Sequence, residues 1–431
     1  MSTTIPTAPP RQLGPRRITL LVALAVFAQE SMWNFYDSQV PPLLREHLAS
    51  AALVGFIMGM DNLLGIFIQP WMANRSDRTR TRWGRRMPYL AVGMPLAALL
   101  FVTLPHTADS LPLLIVVIVA FALVSNSFKP IGEALVPDFI APERRSRANA
   151  AVKIASSLTV IVAALVSILL VDDHPALAFA VIALITLVSI TVLCLSIRDS
   201  SSPGYRAAVA EDAAEEADAE STTVGQARIR DTIWEIVRDT DRSRLLLIVA
   251  ILVFGSAWAG SRALVTPYGM ETLGMSRGDA GGLTLPSGVA FLLAAYPTAL
   301  LAERFGRLRT MIGGMAIFAA AMLLGTLVQT PTGTVVAFCI GAAGASAFLV
   351  NAVVVLWNLA PSARVFGTYA ALYAVGWQSG AFLGPALIGG AVDVLGWQTM
   401  LLDIAVVAAV AVAIVVRIDR LQRRGDVERA V

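Results

Sequence analysis

The chain has 431 residues, 56% of them hydrophobic and 15% charged, and a mean hydropathy of +0.70, far from the balance of a water-soluble globule. Its formal charge of +3 arises from 33 basic residues against 30 acidic ones, and the basic residues sit mostly between apolar segments, where membrane topology explains them and nucleic-acid binding is not needed. Cys194 and Cys339 fall inside apolar runs, which argues against both a disulfide framework and a metal site; no cofactor is implied.

Crossing about 30 Å of hydrocarbon takes about 20 mostly apolar residues in a helix. After a tail over 1–17, the first such segment runs from Ile18 to Leu43. It imitates a signal peptide, yet it passes through Glu30 and Asp37 without a small-residue cleavage pattern, so it reads as a retained helix. Five more follow: Ala51 to Ala73, Pro88 to Leu104, Leu113 to Phe139, Ala148 to Val171 and Ala176 to Ile197. A polar connection over 199–244, with a stretch rich in Ala, Glu and Asp, lacks the apolar area to order itself and reads as a linker. Six further segments are Leu245 to Met270, Ala280 to Ala302, Thr310 to Val328, Thr334 to Leu359, Phe366 to Val394 and Thr399 to Ile418, before a tail over 419–431. The expected architecture is thus an all-helical membrane protein of twelve spans, in two bundles over 18–198 and 245–418.

Arginines cluster after even-numbered segments, most densely between Arg75 and Arg86, and again at Arg144 to Arg147, Arg304 to Arg309 and Arg364. Positive charge marks the cytoplasmic face, so both termini are expected there, with the chain in the cell membrane.

The two halves echo each other. Trp33, Asp37, Val40 and Pro42 are followed 225 residues later by Trp258, Arg262, Val265 and Pro267. Asp77-Arg78 and Gly84-Arg85 after the second segment are matched by Glu303-Arg304 and Gly306-Arg307 after the eighth. Such repeats are common in transporters, where the solute site lies at the repeat interface.

Ionisable groups in a span cost a few kcal/mol each, so each needs a reason. Glu30, Asn34 and Asp37 recur at i, i+4 and i+7 and share a face beside Trp33. Asp61 and Asn62 lie near the bilayer midplane. A proton carrier needs a carboxylate that gains and loses its proton near working pH as water enters and leaves. Asp61 fits that role first and Glu30 second; hydrogen bonding to neighbouring helices is the plain structural alternative for both. Asp37 and Arg262, at matching places in the two halves, suggest a pair near the outer end that acts as a gate, or two groups in a water-facing vestibule. Lys129 and Glu133, four apart, read as a neutralised structural pair. Asp77, Arg78, Gly84, Arg85 and Arg86, with Glu303 and Arg304, belong to conformational control at the cytoplasmic helix ends. The spacing of Gly380 and Gly384 in the eleventh segment predicts close approach of a neighbouring helix.

No nucleophile-base arrangement, metal cluster or phosphate-cradling loop is visible, and His47, His106 and His174 fall in expected outer loops; an enzyme is not indicated. Twelve spans, the duplication and the repeated turn resemble the major facilitator superfamily. Gln69-Pro70, Ser76-Asp77-Arg78, Arg82-Trp83-Gly84-Arg85-Arg86-Met87-Pro88-Tyr89, Pro137-Asp138 and Arg144 to Ala150 resemble the glycoside-pentoside-hexuronide cation symporters, nearest their sucrose- and maltose-type proton branch. The resemblance implies alternating access and cation-coupled sugar uptake. Gln69 stands where sodium-coupled members carry an acid, which turns the expectation from sodium to protons. An exporter of the same fold, driven by proton antiport, is the alternative. Sugars offer hydroxyls at their edges and C–H groups on their faces, so amides and flat aromatics are the expected contacts. Those available are Trp33, Asn34, Asn62 and Gln69 in the first half and Trp258, Asn351, Tyr373, Trp377 and Gln378 in the second. The expected partners are therefore a small solute, protons and the bilayer, with the chain acting as a monomer.

Overall fold

A computed structural model describes residues 14–140, 145–197, 199–206, 209–210, 242–359 and 366–430. Among them, α1 (Pro15–Arg45), α2 (Ala51–Asp77), α3 (Met87–Thr103), α4 (Leu111–Glu133), the short α5 (Leu135–Phe139), α6 (Arg145–Leu170) and α7 (Pro175–Ser196) form a first set. The second set is α8 (Ser243–Glu271), the short α9 (Arg277–Gly282), α10 (Leu285–Phe305), α11 (Arg307–Val328), α12 (Pro331–Asn358), α13 (Phe366–Leu395) and α14 (Met400–Ala430).

Nine of the described helices are long and apolar enough to cross a membrane; Met87–Thr103 and Ile154–Leu170 are apolar but shorter. The remaining expected span, α13, is 30 residues long. Its apolar character is diluted by six glycines and by Tyr369, Tyr373, Gln378 and Asp393. Helix-helix packing explains the glycines. A Cβ at Gly380 or Gly384 would collide with the carbonyls of Leu252 or Ser256 in α8, and one at Gly55 of α2 with that of Pro385 in α13. α13 is therefore wedged between α8 and α2, and small residues permit the approach.

Buried apolar side chains fall into two clusters. One draws on residues from Leu21 to Ile197 with Ala263, the other on residues from Leu247 to Ile418 with Ala51. In the first, Phe35, Phe101, Phe121 and Phe179 interlock edge-on or tilted at 5.0–6.2 Å. In the second, Phe254 packs on Phe318 and Phe348 at 5.3 and 4.6 Å. The sets meet where α1 lies against α8, α2 against α13, and α6 against α9 and α10.

The segment expected to open the linker is packed where it is described. Asp199–Ser201 form a 3-10 turn, and Asp199 and Ser202 are buried. Most of the 199–244 region, including the acidic stretch, lies outside the described residues, while Ser243 and Arg244 already belong to α8.

Candidate functional site

A cavity of about 370 Å³ opens between the two sets. α1 contributes Glu30, Trp33, Asn34 and Asp37, in agreement with the shared face read from their spacing; α2 contributes Asp61 and Asn62, and α4 contributes Lys129. From the second set come Trp258 and Arg262 on α8 and Trp377 on α13. Three carboxylates, two cations and three indoles thus surround one space.

Hydrogen bonds fix part of this wall. Asn34 Nδ2 donates to Thr159 Oγ1 of α6 at 2.8 Å and to the Glu30 carbonyl at 3.0 Å, while Arg262 Nη2 donates to Asn34 Oδ1 at 3.4 Å. Asn62 Nδ2 donates to Asp61 Oδ1 at 2.8 Å. Lys129 Nζ stands 3.9 Å from Glu30 Oε1, so this lysine reaches across to α1 as well as lying within electrostatic range of Glu133 on its own helix. Asp37 and Arg262 attract each other and both line this cavity, 8 and 9 residues before the ends of α1 and α8. Trp33 is 8% exposed, packs against Phe121 at 5.2 Å and Tyr36 at 5.5 Å, and its indole N–H has no hydrogen-bond partner among the described residues.

Four residues expected at a solute site are not on this wall. Gln378 Nε2 donates to Gln69 Oε1 at 3.3 Å, Gln69 Nε2 donates to Asn126 Oδ1 at 2.7 Å, and Asn126 Nδ2 donates to the Asp61 carbonyl at 3.0 Å. The two glutamines therefore form a bridge between α2 and α13, braced by α4. Asn351 is buried and donates to the Ala347 carbonyl one turn back at 2.8 Å. Tyr373 packs against the second apolar cluster. Conversely, Ser156 and Ser157 of α6 line the cavity without having been expected there. Serines in an apolar helix normally bond their own backbone, so nothing in the local sequence distinguishes a cavity-facing one.

The arginine-rich turn after α2 is a closed ionic network. Arg85 grips Asp138 through two bonds, Nε to Oδ2 at 3.1 Å and Nη2 to Oδ1 at 2.7 Å. Arg86 donates to Asp138 Oδ2 at 2.9 Å, Asp77 Oδ1 at 2.5 Å and Ser76 Oγ at 3.0 Å. The Arg86 backbone N–H donates to Asp199 Oδ2 at 2.5 Å. Burial holds the Asp199 carboxyl above its ordinary range, against the lowering pull of the Arg86 and Arg85 backbone donors. Gly84 has φ of +101°, and a Cβ there would strike Asp199, so glycine is required both for the turn and for the approach. Arg78 ends α2 through its backbone N–H and leaves its side chain exposed. In the second set Gly306, at φ of +93°, makes the matching turn, but Glu303 and Arg304 are exposed and Arg304 lies over the Phe305 ring at 5.4 Å. Asp138 and Asp199 are the acids that spacing alone does not assign. They are distant in sequence, and only the fold brings them under Arg85 and Arg86.

Helices long and apolar enough to cross a membrane thus surround a polar cavity shared by the two sets, the arrangement of a membrane transporter. The model of the Major Facilitator Superfamily matches residues 22–295 and 267–430, and the chain belongs to that family. Two curated relatives are Sucrose transport protein SUC4 of Arabidopsis thaliana, 28% identical over 102 residues, and Sucrose transport protein SUT1 of Oryza sativa subsp. japonica, 31% identical over 105. These matches span 24% of this chain and about a fifth of each relative, 20% and 19%. Among solved structures, the nucleoside transporter NupG superposes with a TM-score of 0.74 at 12% identity, covering 93% of this chain and 99% of that one. A bacterial homolog of the human lysosomal transporter Spinster, inward-facing and occupied, gives 0.73 at 15%, covering 95% and 98%. At these identities the structural likeness concerns the fold.

Proposed function

We propose that the chain is a twelve-span secondary transporter of two pseudo-symmetric six-helix bundles, with both termini cytoplasmic, that takes up a disaccharide or related glycoside together with protons by alternating access. The observation that carries this reading is the cavity shared by the two helix sets, where Glu30, Asp37 and Asp61 meet Lys129, Arg262 and the indoles of Trp33, Trp258 and Trp377. Indole faces suit sugar C–H surfaces, and Asn34, Asn62 and the carboxylates suit hydroxyls. Three acids against two cations leave one negative charge when all are ionised, which a single proton neutralises. Asp61 is the proposed proton carrier, with Glu30 tied to Lys129 as the second acid. The short stretches of likeness to sucrose transport proteins favour a sugar as the solute.

The Gln69–Gln378 bridge and the ionic turn at Arg85 and Arg86 take conformational roles in this reading. The bridge is a contact that the two halves make or break, and the turn ties the end of α2, the start of α3, α5 and the segment after α7 into one unit. Uptake of radiolabelled sucrose and maltose into proteoliposomes under an imposed inward proton gradient tests the proposal. Gradient-driven accumulation is expected. A folded preparation that moves neither sugar sinks the disaccharide assignment and shifts weight to a proton-antiport exporter.

A further inference from the structure

At the end of the molecule remote from the arginine-rich turns, each helix set presents an aspartate to the beginning of a helical segment in the other. Asp393, near the end of α13, accepts from the Ser50 hydroxyl at 2.5 Å and from the backbone N–H groups of Ala51 and Ala52 at 2.6 and 3.1 Å. Asp172, just after α6, accepts from the Ser276 hydroxyl at 2.6 Å and from the Gly278 N–H at 2.8 Å. Ser50 and Ser276 also cap their own segments, each hydroxyl accepting a backbone N–H three residues on. The two serines are 226 residues apart, within one residue of the spacing that relates Trp33 to Trp258 and Asp37 to Arg262. The contacts are thus the same device built twice, once in each direction between the halves.

Neighbouring bonds join the same seam. Arg45 Nη2 meets Glu271 Oε1 at 2.8 Å, Arg277 donates to Gln39 Oε1 and to its carbonyl at 2.9 Å each, and Ser167 Oγ donates to the Gly278 carbonyl at 2.9 Å. The two aspartates differ from these in what they bind. Each uses its charge on backbone donors at a helix start, where a carboxylate is favoured and where no side-chain rotation can relieve its loss.

We propose that Asp172 and Asp393 are a reciprocal latch that holds the extracellular mouth of the cavity shut, and that both sets of contacts must break for the cavity to open there. Assigning this mouth to the extracellular side rests on the topology proposed above; the latch itself rests on the contacts. Sharing the closure between the halves means that losing either aspartate weakens it without abolishing it.

Spin-label distance measurement on the full chain in lipid, with no solute present, tests this independently of any transport assay. Labels at Asp109→Cys and Thr332→Cys, exposed at this end on opposite sets, are placed in a Cys194→Ala, Cys339→Ala background. Asp172→Asn and Asp393→Asn are each expected to raise the ratio of separated to closed distances roughly tenfold, the scale of losing a charge-assisted hydrogen bond. Ser50→Ala and Ser276→Ala keep both carboxylates and are expected to shift the ratio the same way by less. If the aspartate variants fail to fold, the serine variants decide the matter. A distance distribution identical to the parent in every folded variant overturns the latch. Failure to move sucrose or maltose contradicts the proposed solute and leaves this result untouched.

Discussion

Asp138 shows how much one side chain carries in this molecule. It is 4% exposed and takes hydrogen bonds from both Arg85 and Arg86, so truncating it strips the largely buried Arg85 guanidinium of both its bonds and leaves Arg86 with Asp77 and Ser76 alone. Breaking a buried ion pair from one side costs about 3–5 kcal/mol. Asp138→Ala is therefore expected to lower thermal stability in detergent strongly, whereas Arg78→Ala, whose side chain is exposed, should leave it nearly unchanged. Asp199 behaves differently because burial holds its carboxyl above the ordinary value of 3.8. The folded state binds the proton more tightly than the unfolded chain, so this group's contribution to stability is fully present below 3.8 and declines as pH rises through its elevated folded value. Asp199→Asn keeps an acceptor for the Arg86 N–H and should flatten that decline, read as melting temperature against pH. A steeper decline in the variant contradicts the assignment. Neither acid is legible as a partner in the sequence. Asp199 stands at the edge of a polar stretch that looks like linker, and Asp138 lies 52 residues from Arg86. By contrast, the cavity face of α1 is legible, because i, i+4, i+7 spacing in a helix is geometry enough.

At the scale of the helix, α13 is the element on which the two sets turn. The four-residue spacing of Gly380 and Gly384 predicts a close approach, and both glycines do face the backbone of α8. A Cβ at Gly384 meets three backbone atoms of Ser256 that cannot rotate away, so Gly384→Ala is expected to cost about 1–3 kcal/mol by overpacking. At Gly313 of α11 an added methyl group would find nothing within 4 Å, and Gly313→Ala should be neutral or stabilising by about 0.4–1 kcal/mol. Paired melting curves check both, and equal effects at the two sites contradict the packing argument. Gln378, Trp377 and Tyr373 on the same helix show where periodicity runs out. Trp377 and Tyr373, four residues apart, both pack against the second apolar cluster, yet only Trp377 reaches the cavity, while the adjacent Gln378 bridges to Gln69. A sequence reports that a polar or aromatic side chain exists in a span; the rotation of the helix against its neighbours decides what it meets.

For the whole molecule, the all-helical class follows from composition, and the repeat at 225 residues anticipates matching sites in two helix sets. The cavity lies where those sets meet and takes Asp37 and Arg262, the repeat-related pair, onto one wall. The Asn126 bridge adds a link that pairwise motif reading misses, since it ties the Asp61 carbonyl to Gln69 and through it to Gln378 of the other set. Asn126→Ala should loosen that link and cut gradient-driven sugar uptake at least roughly tenfold, the scale of losing one or two buried hydrogen bonds, while leaving the fold intact by melting temperature. Undiminished uptake contradicts a coupling role for the bridge. In the proposed cycle solute and proton cross this cavity together. A pH-sensitive dye trapped inside proteoliposomes, with sucrose or maltose added outside, reports on that coupling. Sugar-dependent acidification of the lumen that disappears in Asp61→Asn is expected; sugar entry with no acidification, or acidification undiminished in that variant, contradicts coupled movement.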